Sequence, residues 1–184
     1  MNTIVIKKKS IKTQALAALI ATVAAVALPQ VFHVMGLVSG LGSALGETFL
    51  PMHLPVMAVG LMSGPLAGAT TGFLAPLVSF SLTSMPALSF LPFMMIELAV
   101  YGLAAGLLQN AKIPVTFKVL LTQIAGRAIR ALAILLSFYV FSNSAIRPEI
   151  IVKSIAVGIF GIVLQLTLIP LFVYRVENIK KNEN

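Results

Sequence analysis

The chain has 184 residues, of which 59% are hydrophobic and 10% are charged, and its net charge is +8. Soluble domains have roughly 25% charged residues, so this composition predicts an integral membrane protein, in agreement with a mean hydropathy of +1.03. The absence of cysteine excludes disulfides, thiol nucleophiles and cysteine-ligated metals. The sequence also lacks a GxxxxGK[ST] phosphate loop and the common hydrolase motifs. We therefore expect neither an enzyme nor a cofactor bound by this chain.

Six apolar segments predict six transmembrane helices in one all-α membrane domain that covers residues 1–184, because a helix needs about 20 apolar residues to cross a bilayer. The second and third segments are short and contain Pro51, Pro55 and Pro76, so we expect these helices to be kinked. A basic flank (1–10) precedes the first span, and a polar tail (175–184) follows the last. The predicted spans are 11–34, 48–63, 65–83, 89–109, 115–141 and 150–174.

The distribution of basic residues predicts the orientation of the chain. With an even number of spans, both termini lie on one side, and Arg147 and Lys153 lie on the other. Because cytoplasmic flanks are rich in lysine and arginine, both termini should be cytoplasmic. The positive charge thus indicates membrane topology and not nucleic-acid binding. The basic residues on the predicted inner side are Lys7, Lys8, Lys9, Lys12, Lys112, Lys118, Arg175, Lys180 and Lys181.

The longest predicted outer loop runs from Val34 to Glu47 and contains Gly36, Gly40, Gly42 and Gly46. Glycine at this density permits a mobile, closely packed segment. The loop is therefore either a flexible connector or a lid over an outward-facing cavity, and the sequence leaves both open.

The fifth predicted span contains two arginines, Arg127 and Arg130. Each charge at bilayer depth costs about 2.5–3.5 kcal/mol on insertion scales. Together with Gln123 they lie at i, i+4 and i+7, so the three share one helix face. A rise of about 1.5 Å per residue places both arginines in the middle-to-outer part of the hydrocarbon. Glu97 on the fourth span reaches the depth of Arg130.

A single intramembrane acid cannot neutralise two arginines. Glu97 is either part of an ion pair that only ties two helices together, or one side of a pocket. The helix rise favours Arg130 as its partner without deciding the matter. The remaining positive charge favours an anion, and the arginine fork suits a carboxylate. We therefore predict an outward-facing pocket for a small carboxylate solute, with Arg127, Arg130, Glu97, Gln123, His53 and Tyr101 as binding residues and Asn143 at the rim.

Two further polar or small-residue features lie on the first and last spans. Ala17, Ala21 and Ala25 form a small-xxx-small stripe, which lets another helix approach closely. The stripe either docks a partner protein or packs within this chain. Gln165, on the last span, is expected to form a hydrogen bond between helices.

This pattern resembles the substrate-binding S-components of energy-coupling factor (ECF) vitamin transporters. The resemblance covers the whole chain: its size, six spans, both ends inside and a basic N-terminus. The stretch Ala17-x3-Ala21 matches the AxxxA motif that docks these proteins on their coupling subunit. Segments that look like the pantothenate subgroup are Phe49–Val56, Gly64–Gly68, Ala75–Leu77, Ser84–Pro86 and Ile96–Gly102.

The resemblance implies a multi-pass protein of the bacterial cytoplasmic membrane that captures pantothenate from outside. Its site would lie in the outer halves of spans four to six, with the first outer loop. The partners would be a transmembrane coupling subunit and two ATPase subunits, which use the ATP.

Three alternatives remain open. Another ligand such as folate, a pyridoxine-like ring or a cobalamin precursor is weakly disfavoured, because the chain has no tryptophan to stack on a large ring. A stand-alone small-solute transporter or channel linked to protons through Glu97 is the second. The third is a purely structural membrane subunit in which Glu97 and an arginine form a sealed ion pair.

Overall fold

The computed structural model describes residues 10–143 and 145–182. The lysines at positions 7, 8 and 9 of the predicted basic flank lie outside these residues. In the described part the chain is helical and has no strand. The helices are α1 (Ile11–Ser39), α2 (Ala44–Phe49), α3 (His53–Ser63), α4 (Pro65–Thr83), α5 (Leu91–Leu107), α6 (Val115–Tyr139), α7 (Glu149–Val157) and α8 (Ile159–Asn182).

The helices are long and apolar enough for a multi-pass membrane protein. Five segments of the described chain meet the length and hydropathy that a span requires, with α2 and α3 together counting as one. The fourth predicted span, α5, is apolar but has only 17 residues. Large apolar side chains such as Leu19, Ile20 and Val23 lie exposed on the outside of the bundle. Lipid solvates such a surface, whereas water does not.

The predicted outer loop from Val34 to Glu47 is wrong in its extent, because α1 continues to Ser39 and α2 begins at Ala44. Glycines make this short connection possible. Gly40 and Gly42 adopt left-handed φ angles of 75° and 57°. The Gly42 amide then folds back to donate to the Gly36 carbonyl at 3.0 Å. A Cβ on Gly36 would overlap that turn.

Two of the predicted spans are interrupted. The last one is divided at Gly158 into α7 and α8, and its predicted polar tail continues α8 as a helix to Asn182. The second begins earlier than predicted, as α2, and breaks at Leu50, whose φ of 51° is left-handed. Pro51 lies in this break, where its missing N–H leaves no helical hydrogen bond unmade.

Close glycine contacts place α5 in the centre of the bundle. Gly68 of α4 and Gly102 of α5 face each other, so that a Cβ on either would overlap the backbone of the other. Gly72 touches the Leu98 carbonyl in the same way. Small residues allow this approach of two backbones, which is the main route to helix association in lipid. Leu98, Tyr101 and Ala105 are consequently fully buried, and Glu97 is held at the bundle interior.

Candidate functional site

Glu97 pairs with Arg130 in the interior of the bundle. The Arg130 Nη1 donates to Glu97 Oε2 at 2.9 Å, and the two side chains are 18% and 2% exposed. The Tyr101 hydroxyl, one turn along α5, donates to Glu97 Oε1 at 3.0 Å. Both carboxylate oxygens therefore have a donor. The pairing that the helix rise favours is confirmed.

Arg127 lies one turn before Arg130 on α6 and has no acidic partner among the described residues. Glu97 forms its ion pair with Arg130. The Nε atoms of both arginines are buried and have no hydrogen-bond partner in the described part of the chain. Two guanidinium groups and one carboxylate leave a single positive charge, since no other described acid pairs with either arginine. Such a charge in a low-dielectric site favours an anion.

A narrow cleft opens beside these three residues. The space it encloses is about 10 Å³, close to what one ordered water needs. The cleft is therefore too small for a solute larger than water. The cleft is lined by Glu97, Arg127, Arg130, Ala131, Ile134, Ile151, Ser154 and Ile155.

The side chains of α7 are the part of the site that sequence reasoning missed. Ile151, Ser154 and Ile155 lie at i, i+3 and i+4, so they share one helix face over the arginines. The same spacing is visible in the sequence and marks a face of α7. It carries no charge, however, so the sequence gives no sign that this face belongs to a site.

A glycine lets α6 reach α5 at the depth of the site. A Cβ on Gly126 would overlap the Tyr101 ring and lie 3.0 Å from the Glu97 carbonyl oxygen. This close approach brings Arg130 within reach of Glu97. The His53 ring packs against the Tyr101 ring, and the two ring centroids are 5.3 Å apart. The buried Nδ1 of His53 has no hydrogen-bond partner among the described residues.

Two hydrogen-bonded amides lie toward the N-terminal end of α6 from the arginines. Gln123 Nε2 donates to Gln165 Oε1 at 2.7 Å, and Gln165 Nε2 donates to the Leu50 carbonyl at 3.3 Å. The expected hydrogen bond of Gln165 between helices is confirmed. It joins α6, α8 and the break between α2 and α3. The Leu50 side chain and the Arg127 guanidinium both lie next to Gly158, at 3.0 and 3.6 Å from where its Cβ would be.

Asn143 is not part of this cluster. It is exposed in the connection after α6, where its Oδ1 accepts a hydrogen bond from the Ala145 amide at 3.0 Å. The other six predicted binding residues meet at or just below the cleft. Of these, Glu97, Arg127 and Arg130 line it, whereas Gln123, His53 and Tyr101 lie beneath.

The alanine stripe of α1 packs mostly within the chain. Ala21 belongs to a cluster with Val59 of α3 and Ala67 of α4, and Ala25 is 0% exposed in the main core. For these two residues the internal-packing interpretation therefore applies. Ala17 is partly buried against the same cluster.

The polar residues of the cleft can offer a ligand charge and hydrogen bonds. In the part of the chain that the structure describes, no group of three or more His, Cys, Asp or Glu residues is arranged to hold a metal ion. Comparison of the chain with protein families, curated proteins and solved structures finds no match.

Proposed function

We propose that this chain is the substrate-binding subunit of an ECF-type vitamin importer and that its ligand is pantothenate. The site lies between α5, α6 and α7. Arg127 takes the ligand carboxylate, and Glu97 keeps Arg130 in place beside it. The subunit acts in the bacterial cytoplasmic membrane and binds the vitamin from the outer side.

The observation that carries this proposal is the position of Arg127. It lies in a cleft inside the bundle, beside an acid whose two oxygens are already occupied by Arg130 and Tyr101. A structural ion pair needs only one arginine. The second costs about 2.5–3.5 kcal/mol in the membrane on insertion scales, a cost that a bound carboxylate offsets.

Pantothenate fits the polar groups of the site. It has one carboxylate for the single excess positive charge. Its hydroxyl and amide groups match the buried polar atoms of Gln123 and His53, which have no partner among the described residues. A flat, polycyclic ligand would instead need aromatic rings to stack on.

Transport requires partners in this proposal. The loaded subunit associates with a transmembrane coupling protein and two ATPase subunits, and their ATP hydrolysis drives release of the vitamin inside. The resemblance of the sequence supports this assembly. Of the alanine stripe, Ala17 is the member that retains some exposed surface for such a contact.

Ligand-dependent thermal stabilisation of the purified protein tests the proposal. Pantothenate should raise the melting temperature of the wild-type protein, and Arg127→Ala should abolish this rise because the carboxylate loses its partner. Arg147→Ala is the matched control, since Arg147 is exposed after α6 and does not line the cleft. An equal response of the Arg127→Ala and Arg147→Ala proteins would contradict the proposal.

A further inference from the structure

The hydrogen bonds from Gln123 to Gln165 and from Gln165 to the Leu50 carbonyl form a row that can run in one direction only. The Leu50 carbonyl can only accept a hydrogen bond, so Gln165 must present its NH₂ group to it. The Gln165 oxygen then faces Gln123 and requires the NH₂ of Gln123 as donor. The backbone at Leu50 thus sets the orientation of both amides, which side-chain geometry alone would not settle.

This direction leaves an acceptor open at the end of the row. Gln123 Oε1 is buried and has no hydrogen-bond partner among the described residues. Gln123 and Gln165 are 2% and 1% exposed, so bulk water does not reach the pair. A buried acceptor without a donor costs about 1–3 kcal/mol. The His53 Nδ1 is a second buried polar atom that has no partner among the described residues.

The open acceptor lies one helical turn from the free guanidinium. Gln123 and Arg127 are at i and i+4 on α6, so they share a face and are separated by about 6 Å along the helix axis. A ligand whose carboxylate binds Arg127 can extend along this face of α6 toward Gln123. The group that meets Gln123 Oε1 must be a hydrogen-bond donor.

We infer that Gln123 determines ligand specificity, by selecting solutes that carry a hydroxyl or amide N–H about 6 Å from a carboxylate. The inference rests on the proposed function for the position of the ligand carboxylate. It adds a hydrogen-bond donor as a second ligand group that the site recognises. Simple fatty acids lack this donor and leave Gln123 Oε1 unpaired. They therefore bind more weakly than hydroxy acids of the same length.

Two small acids with the same four-carbon spacer between the carboxylate and the δ oxygen test the inference without relying on the vitamin. δ-Hydroxyvalerate has a donor at about the required separation, and δ-methoxyvalerate has the same carboxylate but no donor. We expect the wild-type protein in detergent to bind the hydroxy acid about three- to tenfold more tightly, the range of one net hydrogen bond. Calorimetric titration measures both affinities.

Two variants separate recognition by Gln123 from its role in holding helices together. Gln123→Leu removes the acceptor but leaves Gln165 without a donor, which weakens the fold. Gln123→Leu/Gln165→Leu removes both amides and leaves the Leu50 carbonyl with its bond from the His53 amide. In both variants the preference for the hydroxy acid should fall to about onefold. A steric effect of the methyl group would persist in them.

Three results would overturn the inference: no binding of either acid, equal binding in the wild-type protein, or an unchanged preference in both variants, which would mean that an internal water satisfies Gln123. These results are distinguishable from failure of the proposed function. Arg127-dependent pantothenate binding without a hydroxyl preference would overturn only the inference. A Gln123-dependent hydroxyl preference without pantothenate binding would uphold the inference and overturn the vitamin assignment.

Discussion

At the scale of single residues, Glu97 decides which arginine is available. Its two oxygens accept hydrogen bonds from Arg130 and Tyr101, so the carboxylate is held toward Arg130. Tyr101 is itself fixed between the His53 ring and Gly126. The Glu97 oxygens are thus occupied by Arg130 and Tyr101, and Arg127 has no acidic partner among the described residues.

Tyr101→Phe should therefore weaken the protein. It removes the donor to a buried carboxylate oxygen, and we expect a loss of about 1–3 kcal/mol in the free energy of unfolding. The matched control is Tyr139→Phe at the C-terminal end of α6, where the tyrosine is 70% exposed. Thermal unfolding in detergent should show a lower melting temperature for Tyr101→Phe only. Equal melting temperatures of the two variants would refute the role given to Tyr101.

The sequence favours this ion pair, without deciding it, because helix rise is a regular quantity. Counting residues along two antiparallel helices brings Glu97 and Arg130 to one depth without knowledge of the packing. The same count cannot place Asn143, which lies beyond the end of the helix, or assign Gln123 to Gln165. Those contacts depend on how the helices rotate against each other, and on a backbone break at Leu50.

At the scale of helices, glycine contacts set how closely α4, α5 and α6 approach. The spacing Gly64-x3-Gly68-x3-Gly72, with Gly102 and Gly106 on α5, is visible in the sequence as a signal for close packing. Four of these glycines meet backbone atoms of the facing helix, namely Gly68, Gly72, Gly102 and Gly106. The alanine stripe of α1 is a similar signal in the sequence, and most of its residues also pack within this bundle.

Gly102→Ala tests this packing. Its Cβ would overlap the backbone of Gly68, so α4 and α5 must separate, and we expect a loss of about 1–3 kcal/mol in stability. Gly46→Ala is the matched control, because the nearest atom to its Cβ is His33 Cε1 at 3.4 Å. The melting temperature in detergent should fall for Gly102→Ala and stay near the wild-type value for Gly46→Ala. A Gly102→Ala protein as stable as wild type would contradict the close contact.

Pro51 predicts the interruption of the second span, whereas the proline content of the last span gives no sign of its break at Gly158. In the fold the two breaks face each other. Leu50 contacts the joint at Gly158, and a Cβ on Gly161 would lie 2.7 Å from the Thr48 carbonyl oxygen. Arg127 lies beside this meeting point. Interrupted helices around a charged group are common at the binding sites of membrane transporters.

At the scale of the whole molecule, an apolar exterior surrounds a small polar interior. The helices expose large apolar side chains on their outer faces, whereas Glu97, Gln123 and Gln165 are buried. Composition and hydropathy are enough to predict this division, since each span must present apolar residues to lipid. The cytoplasmic location of both termini stays a prediction from the lysine and arginine count.

In the proposed site, the interior of the bundle holds one uncompensated positive charge for a ligand carboxylate. Pantothenol, in which an alcohol replaces the carboxylate of pantothenate, tests this claim directly in one calorimetric comparison with the wild-type protein. We predict that pantothenate binds and that pantothenol binds at least about tenfold more weakly, because it loses a charge-assisted contact with Arg127. Equal affinities for the two compounds, or no binding of pantothenate, would contradict the claim.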